Sequence, residues 1–184
     1  MLRSSLAALV LAQAFIAPSQ AQTPPKPAAP APAGTDPQTT SAAFGDWTLR
    51  CERVPDGDKV VKLCEIVGPI HNQNKDTIAQ AIVSRTPKTG PLTLTAQIPN
   101  NVFLPSVVKI TTGEKDAKPW DLGLRRVTPI GVFADLPLSE AQVKVLHAQN
   151  DPGSLEFTNA AGRAIKLPLS LHGLPQALDA LAKE

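Results

Sequence analysis

The chain has 184 residues, of which 42% are hydrophobic and 4% aromatic, and its formal net charge is +2. That length suits one domain once roughly the first forty residues are set aside. So small a charge excludes the basic stripe of a nucleic-acid binder, and Arg125-Arg126 is the only concentrated basic site.

Met1-Leu2-Arg3 gives a short positive start, residues 6–17 form an apolar run, and Ser19-Gln20-Ala21 supplies the small residues a signal peptidase reads. Residues 1–21 therefore read as a signal peptide. Its apolar run is too short to stay as a membrane span, which needs about 20 apolar residues. No later stretch is long and apolar enough either, so no transmembrane segment is expected after cleavage. No cysteine stands near the cleavage site to carry a lipid. Residues 22–42 hold Pro24, Pro25, Pro27, Pro30, Pro32 and Pro37 among alanines and small polar residues. Their apolar bulk is too small to offset chain entropy, so they read as a disordered Pro/Ala-rich linker, a semi-rigid spacer. The globular domain is expected over residues 43–184.

Phe44-Gly45-Asp46-Trp47-Thr48-Leu49-Arg50-Cys51 alternates as a strand does, with Phe44 and Trp47 as its large apolar bodies. Pro55-Asp56-Gly57-Asp58 is a turn, because Pro presets its own φ and Gly permits a positive one. Residues 59–67 make the next strand, which places Cys51 and Cys64 on neighbouring strands of a hairpin. An exported chain with two cysteines most simply joins them. The spacing is not Cys-x-x-Cys, and no His or third Cys stands near enough to complete a tetrahedral metal site. A structural disulfide is expected, contributing about 3 kcal/mol through the unfolded state.

Gly68-Pro69 is expected to end that strand, and residues 71–76 to form a polar loop. Residues 77–83 read as a third strand and 92–98 as a fourth, across a turn at 86–91. Pro99 and Pro105 interrupt an apolar, β-branched stretch, which excludes a central regular strand and points to an edge or bulged crossover. Thr112-Gly113-Glu114-Lys115-Asp116 turns the chain, and Trp120 opens another extended stretch. A hairpin follows over 122–135 with its turn at Thr128-Pro129-Ile130-Gly131. Ser139 and Gln142 stand at capping-box spacing and start a helix whose apolar side carries Val143 and Leu146. Residues 154–158 and 164–171 read as paired strands. Gly173 stops the last one, and Leu174, Ala177, Leu178 and Leu181 then recur at helical spacing. Many short strands with two short helices describe a mostly β domain, either a sandwich or a partly open barrel.

Chemistry is not signalled. His71, His147 and His172 share no metal-ligand spacing, and no Gly-x-Ser-x-Gly elbow or phosphate-cradling glycine loop is present. No catalytic residue, metal or cofactor is expected. Asp46, between Gly45 and Trp47, reads as a side-chain cap on nearby backbone N–H groups rather than a catalytic acid. Val102-Phe103-Leu104-Pro105 is a candidate exposed apolar edge for partner binding, against the competing reading that Phe103 and Leu104 point into the core. Trp47 and Trp120 join Val102, Phe103 and Leu104 as candidate interaction residues.

These segments resemble the invasion-associated locus B family of exported bacterial proteins. Phe44-Gly45-Asp46-Trp47 with Cys51 and Cys64 resembles the family's opening, and residues 99–110 its Leu-Pro-x-Gly-Val region. Residues 125–134 resemble a segment that carries a second cysteine pair, and Leu167-Pro168-Leu169-Ser170-Leu171-His172-Gly173 resembles the closing strand. The resemblance implies an immunoglobulin-like β-sandwich in the periplasm or at the cell surface, with no agreed enzymatic activity. Founding members are linked to host-cell invasion. Two departures stand out. Val127 and Val132 replace the second cysteine pair and are expected to face each other as an apolar cross-strand pair. Asn100, Asn101 and Ser106 replace glycines, and Asn tolerates a left-handed backbone.

The expected function is therefore that of a non-enzymatic envelope protein acting through protein–protein interaction, with an unidentified protein or envelope component as partner. The alternative is a periplasmic small-molecule or glycan-binding module whose cleft is lined by Trp47 or Trp120.

Overall fold

The structure, a computed structural model, describes residues 38–85, 90–104, 106–114 and 116–184. The expected signal peptide, residues 22–37 of the expected linker and residues 86–89 of the expected turn lie outside them. Among the described residues the chain runs through β1 (Thr39–Phe44), β2 (Trp47–Asp56), β3 (Lys59–His71), β4 (Thr77–Arg85) and β5 (Leu92–Ile98). It continues through β6 (Val108–Thr111), β7 (Trp120–Thr128), β8 (Gly131–Pro137) and α1 (Glu140–Ala148), then β9 (Gly153–Thr158), β10 (Ala164–Leu169) and α2 (Leu174–Leu181).

Neighbouring strands pair antiparallel in the order β1-β2-β3-β4-β5-β8-β7-β6-β9-β10. The corner of this ladder is β7. Its first residues, Trp120 to Leu122, pair with β6, whereas Gly123 to Thr128 pair with β8, with a register slip between Leu124 and Arg126. A bulge of this kind bends and twists the strand that carries it. The ladder folds over there, β10 comes to lie against β3, and side chains from both halves enter one core. The architecture is the expected mostly β sandwich with two short helices.

Period-two alternation decides which side chains enter that core. On β2, Trp47, Leu49 and Cys51 are buried while Thr48, Arg50 and Glu52 face water. On β5, Leu94, Ala96 and Ile98 are buried too, although Thr95 between them is also buried and donates to Asp135 Oδ1 at 2.8 Å. In α1 the Ser139 hydroxyl accepts from the Gln142 N–H at 3.3 Å, and the Gln142 Oε1 accepts from the Ser139 N–H at 2.9 Å, completing the capping box. Leu174, Ala177, Leu178 and Leu181 make one buried stripe on α2, which packs over β1, β2 and β3.

Several expectations are corrected. Thr39 to Ala42, read as the end of the linker, form β1 and pair with Glu52 to Leu49. No proline stands between Pro37 and Pro55, so these residues keep their N–H groups, and the open edge of β2 recruits them. The stretch from Phe44 to Cys51 is not one strand but a hairpin corner, because Gly45 at φ +56° turns the chain and pairs Phe44 with Trp47. Gly68-Pro69 does not end β3. A Cβ on Gly68 would stand 2.8 Å from the Trp47 ring, so glycine is there for close approach. Pro69 lies past the last β2–β3 pair, where β3 has a partner on one side only, a place a proline tolerates. Finally, Val127 and Val132 do stand opposite each other. Val132 is buried, but Val127 is 64% exposed, so they do not enclose an apolar pair in place of a disulfide.

Candidate functional site

Cys51 and Cys64 face each other across β2 and β3 and are joined as a disulfide. Cys51 is buried in the core and Cys64 packs at its margin. The Glu184 carboxylate lies near both sulfurs, but cysteines bonded to each other offer no thiolate to a metal. Its partner is Lys62, with which it forms an ion pair.

The turn at Gly45-Asp46 and the turn that follows β10 meet in space. The Trp47 indole N–H donates to the Ser170 carbonyl at 3.0 Å, and the Asp46 N–H donates to the His172 carbonyl at 3.1 Å. The Ser170 hydroxyl donates to Asp46 Oδ2 at 2.5 Å, and His172 Nδ1 stands 3.8 Å from the same oxygen. Serine, aspartate and histidine are thus together, yet in the wrong order for nucleophilic catalysis. A serine nucleophile needs the imidazole as its base, with the carboxylate behind the imidazole. Here the carboxylate sits in the middle and holds the hydroxyl itself. Asp46 and His172 are both more than half exposed. The cluster is a clamp between two turns: the Asp46 carboxylate, expected to cap backbone N–H groups, instead accepts from the Ser170 hydroxyl, while its own N–H donates to His172.

The remaining histidines add no chemistry. His147 lies 3.7 Å from Asp179 between α1 and α2, and His71 lies 3.2 Å from the Thr77 hydroxyl. A hollow of about 510 Å³ on the outer face of the sheet is lined by Arg50, Glu52, Leu63, Glu65, Ser84 and Arg85 among others, and Arg50 and Glu65 pair across it at 2.5 Å. Another of about 440 Å³ lies between the Asn72 loop and Lys166. Neither tryptophan lines either one. Trp47 is 1% exposed and cannot present itself to a ligand or a partner, and Trp120 packs half-buried against the core. Burial thus removes Trp47 from the ligand-binding alternative.

Candidate interaction residues separate sharply. Val102 is buried, held by a β-bridge to Asn159. Phe103 and Leu104 are 49% and 54% exposed. They are not alone. Of the seven large hydrophobic side chains exposed among the described residues, five belong to one end of the sandwich: Phe103, Leu104, Val107, Val127 and Ile130. The loops that carry them are tied together. The Asn100 side chain donates to the carbonyls of Thr128 and Pro129, the Phe103 N–H donates to Thr158, and the Ala160 N–H donates to Asn101. Three turns thus form one surface, contributed by residues far apart in sequence. Val107, Val127 and Ile130 were not expected there. Ile130 had a readable signal: it occupies the third position of a Pro-led turn, where a side chain points away from the sheet.

The described residues form a disulfide-pinned antiparallel β-sandwich with an apolar end. The chain belongs to the invasion-associated locus B family: the family described as "Invasion associated locus B (IalB) protein" matches residues 47–182. The crystal structure of invasion associated protein b from Bartonella henselae has a similar fold, with a TM-score of 0.65 at 20% sequence identity. The match covers 78% of this chain and 95% of that one. No curated protein matches the chain.

Proposed function

We propose that the protein is exported and works in the envelope, in the periplasm or at the cell surface, by binding rather than by catalysis. The observation that carries this reading is the concentration of exposed apolar side chains at Phe103, Leu104, Val107, Val127 and Ile130, on two segments that Asn100 ties together. An exposed apolar patch is costly to keep in water and marks an interaction site when it is contiguous. Export is supported by the signal-like residues 1–21 and by the Cys51–Cys64 disulfide, which persists in oxidising compartments. The partner is a protein or another envelope component.

A photo-reactive amino acid placed at Leu104, and separately at Glu140 on α1, tests this. Incubated with an envelope fraction and irradiated, the Leu104 form is expected to give adducts that the Glu140 form does not. Equal labelling from both positions, or none from Leu104, would sink the proposal.

A further inference from the structure

We infer that the apolar end docks on an anionic phospholipid bilayer. The inference rests on that end being the working surface and adds what the surface meets. Charge is the first argument. Segments 98–108, 122–134 and 157–165, which build the end, contain Arg125, Arg126 and Arg163 and not one Asp or Glu. All three arginines are exposed. The acids that border these segments are each engaged: Asp121 with Lys109, Glu156 with Lys166, and Asp135 with the Thr95 hydroxyl.

Geometry is the second argument. The apolar groups sit on turns, as separate projecting tips, which suits insertion between headgroups. Strand rise is about 3.3 Å per residue, so Arg126 stands roughly 10 Å behind the Pro129-Ile130 apex. That matches the roughly 5–10 Å to which interfacial apolar groups sink. Arg126 also lies over the Phe133 ring, 4.2 Å from its centre, which holds the guanidinium at the base of the turn. Headgroup phosphates would meet the arginines as Ile130 and Leu104 enter the acyl boundary.

The third argument is that the backbone of these turns is internally bonded. Gln97 Nε2 donates to the Ile130 carbonyl, and Asn100 to those of Thr128 and Pro129. Asn159 Oδ1 accepts from the N–H groups of Ala161 and Arg163. Leaving water is expensive for an unpaired amide, and these turns have paired many of theirs beforehand. No helix among the described residues is long and apolar enough to cross a membrane; the contact inferred is a peripheral one made by turns.

The core lies wholly within the described domain, so the chain from residue 22 is the form to test. It is mixed with vesicles of phosphatidylglycerol and phosphatidylethanolamine, or of phosphatidylcholine alone, and co-sedimentation is measured. Binding to the anionic vesicles is expected, at least about tenfold stronger than to phosphatidylcholine and weakened by salt. Arg125→Gln with Arg163→Gln should weaken it about 30-fold, at roughly one order of magnitude or less per charge. Leu104→Ser with Ile130→Ser should weaken it at least about tenfold, while Val60→Ser, an exposed apolar change on the β2–β3 hairpin, should not. Unchanged thermal midpoints verify that the variants remain folded. No binding to anionic vesicles at low salt, or binding indifferent to both double variants, overturns the inference. If vesicles fail but Leu104 cross-links a protein, the bilayer is wrong and the working surface stands; if Leu104 cross-links nothing, both readings fall.

Discussion

The indole N–H of Trp47 donates to the backbone carbonyl of Ser170, 3.0 Å away and 123 residues later in the chain. This bond explains why the opening and closing motifs share one role. Trp47 fills the space under Gly68, and its polar edge reaches across to the segment that follows β10. Buried indoles need such a partner. Trp47→Phe keeps most of the apolar body and removes the donor, so a loss of about 1–2 kcal/mol is expected. Trp47→Ala adds a cavity and should cost about 3–5 kcal/mol. Urea denaturation followed by circular dichroism measures both, and an unchanged stability for Trp47→Phe would show that the hydrogen bond contributes nothing.

Gly173 has φ +86°, and a Cβ there would stand 2.0 Å from the Phe44 carbonyl oxygen. Gly57 has φ +61° but nothing within 4 Å of the same position. Alanine at Gly57 meets only the backbone penalty, about 1–2 kcal/mol. Alanine at Gly173 meets that penalty and forces two turns apart. Its cost should be at least about 2 kcal/mol greater, read as the difference between the two denaturation midpoints.

Cys51 and Cys64 supply the domain's covalent restraint, since Val127 is exposed and cannot stand in for a second bridge. Reduction, or Cys51→Ala with Cys64→Ala, should lower stability by about 3 kcal/mol. Differential scanning calorimetry with and without reductant checks this, and an unchanged midpoint would contradict it.

In α1 the capping box is reciprocal. Ser139→Ala should cost about 1 kcal/mol, and Gln142→Ala less, because the serine hydroxyl keeps its own bond to the N3 amide. A thermal melt of the two variants orders them.

Local signals carried most of the fold. The capping box at Ser139, the stripe of Leu174, Ala177, Leu178 and Leu181, and the alternation of Leu94, Ala96 and Ile98 each lie within one element. The structure shows all three as expected. The burial of Trp47, which was expected to offer an interaction surface, had a signal that went unread: it shares a face with Leu49 and Cys51 at two-residue spacing, and a disulfide cysteine marks that face as the inside. The meeting of Gly45 with His172 and of Gly173 with Phe44 was not legible, because it joins residues more than a hundred positions apart without any periodicity. The apolar end was half legible. Phe103 and Leu104 stood out as a run, whereas Val107, Val127 and Ile130 join them only when three separate turns come together.

The bond between Trp47 and Ser170 also sets a clock. A ribosome adding about 5–20 residues per second needs roughly 6–25 s to travel between these two positions. Throughout that interval β2 can pair with β3, and the tryptophan has no carbonyl to receive its N–H and no lid over its ring. The newborn chain thus carries Trp47 without its carbonyl partner until Ser170 has been made.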